Sequence, residues 1–246
     1  METRLSEFKK NILIWYPFKE NASVLNLENG FEEVLGDLGV KFEKIVTFSQ
    51  DTDKKQVKIV ANKNANRNNK DDKFDYVTII GKYTYNFAEK LEVAKKYVKN
   101  DGKILIALDN RFGLKNWNDA QNLNKDISEK ELRNILKESK FDNFKFYYVL
   151  SNYKMANLIY SEDYTLTKED ITRNFAVYQK DTAVHLNENE VYKKILEDGN
   201  INKFINSFFI EISNKKIETD VKYVTFSNYR KPEYRTMTII KNNIVI

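Results

Sequence analysis

An α/β fold is what the sequence predicts: a largely parallel sheet with helices over the first two-thirds of the chain, then a tail of antiparallel strands. Three observations carry this. Apolar, β-branched runs alternate with helical stripes between Ser23 and Leu150, the pattern of strands joined by helices. Within them Phe74-Asp-Tyr-Val-Thr-Ile-Ile80 is almost wholly apolar or β-branched, as suits a strand buried on both faces of a parallel sheet. After Tyr160 the chain turns polar and then offers three strands separated by Asn-rich turns, a spacing too short for parallel crossovers. The expected division is therefore residues 1–160 and 161–246, with a boundary near 161.

The elements run in order. Ser23-Val-Leu-Asn-Leu27 is a short strand, and Phe31, Val34, Leu35 and Leu38 then repeat at the spacing of one helix face. Lys44 to Phe48 and Val57 to Ala61 read as two further strands, followed by a polar, aperiodic loop over 62–73. Strand 74–80 ends at Gly81. A helix from Phe87 to Val98 places Phe87, Leu91, Ala94 and Val98 on one stripe, and Asn100-Asp-Gly102 predicts a turn into the strand Lys103 to Leu108. Ser128 with Glu131 is a capping-box pattern opening a helix to Lys137. Phe144 to Leu150 is an aromatic-rich strand. Glu190 to Leu196 is helical within the polar stretch 161–202, and strands are expected at 204–212, 221–226 and 235–241.

Composition narrows the chemistry. The 246 residues include 41 Lys+Arg against 36 Asp+Glu, one His and no Cys. The lack of cysteine excludes a disulfide framework, a thiolate zinc site and a thiol nucleophile. His185, in Asp181-Thr-Ala-Val-His-Leu-Asn187, stands alone, so no site needs two imidazoles; a surface or cap position is the ordinary reading. The formal charge of +5 suggests a polyanion at first glance. Acids and bases alternate instead, as in Lys90-Leu-Glu-Val-Ala-Lys-Lys96, the pattern of solvated helix faces, and no nucleic-acid partner is expected. No apolar run approaches a membrane span, and the N-terminus carries acids and lacks a signal-peptide core; a cytoplasmic protein is the expectation. Glycine is scarce, 7 residues in all, which weighs against folds built on several glycine-rich phosphate loops.

Three segments carry a resemblance. Trp15 to Leu27, Lys73 to Gly81, and Asn100 through Asp109-Asn-Arg-Phe-Gly-Leu-Lys-Asn-Trp117 together look like the class I S-adenosylmethionine-dependent methyltransferases, particularly bacterial ones linked to surface-polysaccharide assembly. The resemblance covers about residues 11–160, and segments at 153–160, 206–212 and 224–231 resemble those that lie beyond the core in such proteins. It implies a Rossmann-like class I methyltransferase sheet with a C-terminal α+β or antiparallel β extension. It also implies a cofactor site for S-adenosylmethionine at Asn26, Glu28, Gly30, Phe48, Ser49 and Gly81, and a substrate region at Tyr83, Tyr85, Asn110 and Arg111. Asp109 and Glu28 become the candidate catalytic bases.

The cofactor motif departs from the family. Asn26 stands where an acid is usual, Glu28 where a glycine is, and Gly30 alone survives of the glycine loop. Phe48 occupies the position of the ribose-binding acid, with Ser49 or Asp51 nearby as substitutes. Only Gln50 to Gln56 separates the next two strands, too few residues for a helical crossover, so these strands form an antiparallel hairpin or one is misassigned. Two expectations result: a degenerate methyltransferase-like binding or assembly module, or an active O-methyltransferase acting on a glycan or small-molecule hydroxyl. Asp109, Asn110 and Arg111 either bind a sugar or phosphate with Tyr83 and Tyr85 or stabilise the turn after the fifth strand. The C-terminal strands offer edges for a protein partner or a second copy.

Overall fold

The computed structural model describes residues 7–28, 30–51, 54–59, 73–117, 125–173 and 187–246, with backbone alone at 48–51 and 54–59. The loop expected over 62–73 and His185 lie outside the described residues.

Among the described residues the strands are β1 (Ser23–Asn26), β2 (Lys44–Asp51), β3 (Lys54–Ile59), β4 (Phe74–Ile80), β5 (Val98–Asp109), β6 (Asn143–Leu150), β7 (Leu158–Ser161), β8 (Ser207–Ser213), β9 (Val221–Phe226), β10 (Met237–Lys241) and β11 (Ile244–Val245). They join in one sheet of order β11-β10-β9-β7-β6-β8-β5-β4-β1-β2-β3. β1, β2, β4 and β5 run parallel. β8 lies antiparallel between β5 and β6, and β7, β9, β10 and β11 extend the sheet in antiparallel fashion. This is the mixed, Rossmann-like sheet of class I methyltransferases with an antiparallel extension. The sheet runs unbroken across residue 161, the last residue of β7.

Alternating strand residues feed two cores. Leu25, Val77, Ile79, Ile104, Ile106 and Leu108 pack on one face with helices α2 (Phe87–Tyr97) and α3 (Glu129–Glu138). Val24, Tyr76, Ile80, Leu105 and Ala107 pack on the other, beneath Ile12, Leu13, Trp15 and Tyr16 and the short helix α1 (Glu32–Gly36). This face alternation is the pleat itself. Three further helices, α4 (Lys168–Arg173), α5 (Glu188–Glu197) and α6 (Ile201–Phe204), lead towards β8.

Local chemistry accounts for the boundaries. The Ser128–Glu131 capping box forms as expected, with Ser128 Oγ accepting from Glu131 N and Glu131 Oε2 accepting from Ser128 N at 3.0 Å. The hairpin alternative is realised between β2 and β3, which pair antiparallel from Val46–Ile59 to Asp51–Lys54. One expectation changes. The turn predicted at Asn100-Asp-Gly102 lies inside β5, where the register against β4 shifts between Phe74 and Tyr76. Gly102 is needed there for closeness, because a Cβ would sit 2.9 Å from the carbonyl oxygens of Phe74 and Asp75. α2 consequently stops at Tyr97 and Val98 opens the strand.

Candidate functional site

The chain leaves β1 for β2 on one side and returns to β4 on the other, so the strand order reverses between β1 and β4. The carboxyl ends at such a reversal form the binding crevice of an open α/β sheet. Asn26, Gly81 and Asp109 mark those ends.

The β1–β4 half of the crevice is filled by its own hydrogen bonds. Asn26 is fully buried; its Oδ1 accepts from Thr78 Oγ1 at 3.0 Å and its Nδ2 donates to Glu28 O at 2.5 Å. Glu28 folds back over the start of the β4–α2 loop. A Cβ on Gly81 would meet the Glu28 side chain at 3.3 Å. The Glu28 carboxylate is ion-paired with Lys90 of α2, whose Nζ also lies 3.2 Å from Thr84 Oγ1. Gly30 has φ +98°, a left-handed value that demands glycine, and its N–H donates to Glu32 Oε2 at 2.6 Å. At the β2 end, Phe48 and Ser49 pair through the backbone with Val57 and Gln56 of β3.

At the β5 end, Asp109 to Trp117 forms a latch onto the segment before β8. Asp109 accepts from Ser207 Oγ at 2.6 Å and pairs with Lys115 Nζ at 2.5 Å. Asn110, fully buried, donates through Nδ2 to Lys203 O at 2.9 Å and Ile205 O at 2.7 Å. Arg111 donates to Asp126 O at 3.0 Å and Glu131 Oε1 at 2.7 Å. Desolvation would raise the Glu131 carboxyl, but hydrogen bonds from Ser128 and Arg111 hold it below its ordinary value. A Cβ on Gly113 would lie 2.7 Å from Asn206 Cα, so glycine lets the two backbones touch. Leu114 is buried and Trp117 stacks edge-on to Phe204 at 5.7 Å. Asn110 and Arg111 are thus held in the turn.

Of the aromatic candidates, Tyr83 packs on Phe87 at 5.6 Å, whereas Tyr85 is 99% exposed; among the described residues neither makes a hydrogen bond or ring contact with Asn110 or Arg111.

The structure adds residues from the β6–β7 loop. Tyr153 N donates to Ser207 Oγ at 3.1 Å, which ties this loop to Asp109 through one hydroxyl. The Tyr153 ring lies 6.2 Å from that of Phe31 at the start of α1, and Lys154 Nζ sits 5.6 Å from the Tyr153 ring. Burial, then the charges of Asp109, Asp126 and Glu28, push the Tyr153 phenol above its ordinary value. Burial lowers Lys154; Asp109 opposes this, while Lys82, Lys115 and Lys9 add to it. Burial and then Asp109 raise Asp126, which accepts from Asn116 Nδ2 at 3.1 Å. Lys82 follows Gly81 directly, and Tyr153-Lys154 stands in a sequence segment that carried the resemblance; both were open to reading, but nothing local joins loops 70 residues apart in the chain.

No protein-family model matches the chain, and no curated protein matches it by sequence. Solved structures do match by shape. A SAM-dependent methyltransferase from Thermotoga maritima superposes with TM-score 0.50 at 12% identity, covering 86% of this chain and 92% of that one. A SAM-dependent methyltransferase from Archaeoglobus fulgidus gives 0.49 at 16% identity over 85% and 93%. A Haloferax volcanii methyltransferase solved with its Trm112 activator gives 0.49 at 15% over 89% and 93%. At such identities the likeness concerns the fold, and the class defined here is that of proteins with a methyltransferase-like sheet. Among the described residues no helix is long and apolar enough to cross a membrane.

Proposed function

We propose that the chain is a methyltransferase-like binding or assembly module, associated with bacterial surface-glycan assembly, whose cofactor half no longer serves methyl transfer. One observation carries the reading: the Glu28–Lys90 ion pair lies over Gly81, where the resemblance expects S-adenosylmethionine. The residues do not fit that group. Asn26 has committed its side chain to Thr78 and the Glu28 carbonyl, and a carboxylate backed by a lysine fills the approach that glycine would leave open. β2 continues into β3 as a hairpin, so the chain takes no helical crossover there. The glycan association rests on the Asp109–Trp117 resemblance. A protein partner or second copy would add to the β10–β11 edge, where Ile244 and Val245 are exposed.

An active O-methyltransferase using Asp109 or Glu28 as base is the alternative, favoured by the fold match. Both carboxylates are already held by lysines, which leaves neither poised to accept a proton. Calorimetric titration of the full chain with S-adenosylmethionine and S-adenosylhomocysteine decides between them. No heat and no thermal shift at about 1 mM ligand are expected; saturable binding would overturn the module.

A further inference from the structure

Two rings of the latch face solvent without being loose. Phe112 and Trp117 are 47% and 49% exposed, yet Phe112 N donates to Asn110 Oδ1 at 3.1 Å and Trp117 Nε1 to Phe112 O at 3.2 Å. Trp117 in turn meets Phe204 of α6 edge-on at 5.7 Å. Beside these rings lies an open, largely apolar groove of about 940 Å³, with Phe112 and Phe204 in its lining. Its other wall is α3, lined from Ser128 to Lys137, a run of about 14 Å at the helical rise.

The charges of the groove divide into used and unused. Its two carboxylates are both taken, Glu131 by Arg111 at 2.7 Å and Glu129 by Arg133 at 2.8 Å. Lys130, Lys137 and Lys203 also line it, all exposed, and among the described residues none pairs with a carboxylate; Lys203 Nζ reaches the neutral Asn200 Oδ1 at 2.9 Å. Apart from the Asn134 amide, what remains is ammonium charge and ring surface, and neither demands a fixed partner geometry. A folded protein partner would look for directional contacts. A lipid interface does not: aromatic rings settle at the headgroup level, and lysine stems lie along apolar surface while lifting their charge to the phosphates.

We propose that this face docks on an anionic lipid bilayer, with Phe112 and Trp117 entering the headgroup layer and Lys130, Lys137 and Lys203 against the lipid phosphates. Charge complementarity selects the lipid, because unmatched cations flanking exposed aromatic surface bind anionic bilayers and leave neutral ones alone. The inference lies outside the crevice and holds whether or not S-adenosylmethionine binds there.

The test is co-sedimentation of the full chain with phosphatidylcholine vesicles, with and without about 30% phosphatidylglycerol, read in parallel by tryptophan emission. The chain has two tryptophans, and Trp15 is 3% exposed, so a blue shift reports Trp117. Binding and a blue shift are expected with phosphatidylglycerol alone, and both weaken as salt rises. Lys130→Gln, Lys137→Gln and Lys203→Gln each weaken binding about fivefold; Phe112→Ala weakens it several-fold, and Trp117→Phe removes the blue shift. Lys216→Gln, beyond the far end of β8, removes the same charge from an exposed position and leaves binding unchanged. Lys130 and Lys137 stand exposed on α3, so their variants keep the test valid even where Phe112→Ala fails to fold. No sedimentation of the unaltered chain with the anionic vesicles overturns the inference, and an equal loss in Lys216→Gln does so by assigning binding to net charge. Equally tight binding of dihexanoyl phosphatidylglycerol below its micelle concentration overturns it in favour of a soluble amphiphile. The same blue shift with polyglutamate, or a lipid-free dimer broken by Trp117→Ala, gives the groove instead to an acidic peptide or to a second copy.

Discussion

The two halves of the crevice sit on the same sheet and face opposite ways in chemistry. Over β1 and β4, Asn26, Glu28, Thr78 and Lys90 satisfy one another; over β5 and the β6–β7 loop, Tyr153 is tied through its N–H and Ser207 to Asp109, while the Tyr153 hydroxyl and the Lys154 ammonium make no hydrogen bond among the described residues. A polar group satisfied internally contributes to stability, and one left unsatisfied in a partly buried crevice costs free energy unless a ligand takes it. On the proposed reading, the change at the cofactor motif is a local event, confined to the β1–β4 half.

That comparison can be broken by substitution. The largest effect is expected at the latch: Asn110→Ala strands the carbonyls of Lys203 and Ile205 and should cost about 3 kcal/mol in denaturant unfolding. Asn26→Ala removes two hydrogen bonds from the β1–β4 half, the one to Thr78 buried, and should cost about 2 kcal/mol in the same measurement. Glu28→Gln unpairs Lys90 at a partly exposed site, costing about 1 kcal/mol; a large loss here would mean that the ion pair is structural first and an obstruction second. Tyr85→Ala, in solvent, should change stability by less than about 0.5 kcal/mol, and a larger change would return Tyr85 to the site.

pH sharpens the β6–β7 half. Lys154 is lowered by burial, against Asp109 and with Lys82, Lys115 and Lys9, so the unfolded chain binds its proton more readily. Stability should therefore rise as pH climbs from the lowered value towards the ordinary lysine value, and Lys154→Gln should remove that rise in denaturant unfolding.

Much of the fold was legible because strands and helices declare themselves through short-range periodicity. The largely apolar or β-branched run 74–80 is buried almost throughout, and Ser128–Glu131 caps α3 as its spacing demands. β8 was legible as a strand but not as the neighbour of β5 and β6, since pairing partners are chosen by packing far along the chain. Gly102 misled for a related reason: glycine signals a turn and a close backbone approach alike, and only the β4 carbonyls distinguish them. In the site, Asn26 and Glu28 announced their departure from the family by residue type, and their contacts supply its meaning. Asn110 and Arg111 could be read as ligand-binding or turn-stabilising; their hydrogen bonds fall on the turn. Tyr153 and Lys154 lie in the segment 153–160 that shares the resemblance, but nothing local in it brings them to Asp109; only the fold does.

β8 also has a consequence for how the molecule is made. The strand that joins β5 to β6 spans Ser207–Ser213, so during synthesis the middle of the sheet must wait until more than four-fifths of the chain has left the ribosome. Until then β5 and β6, both rich in buried apolar residues, each present an open edge, the kind of surface on which nascent chains associate wrongly. A chain cut at residue 160 would hold that waiting state indefinitely. It should appear in the insoluble fraction or bound to chaperones rather than as a smaller version of the same sheet.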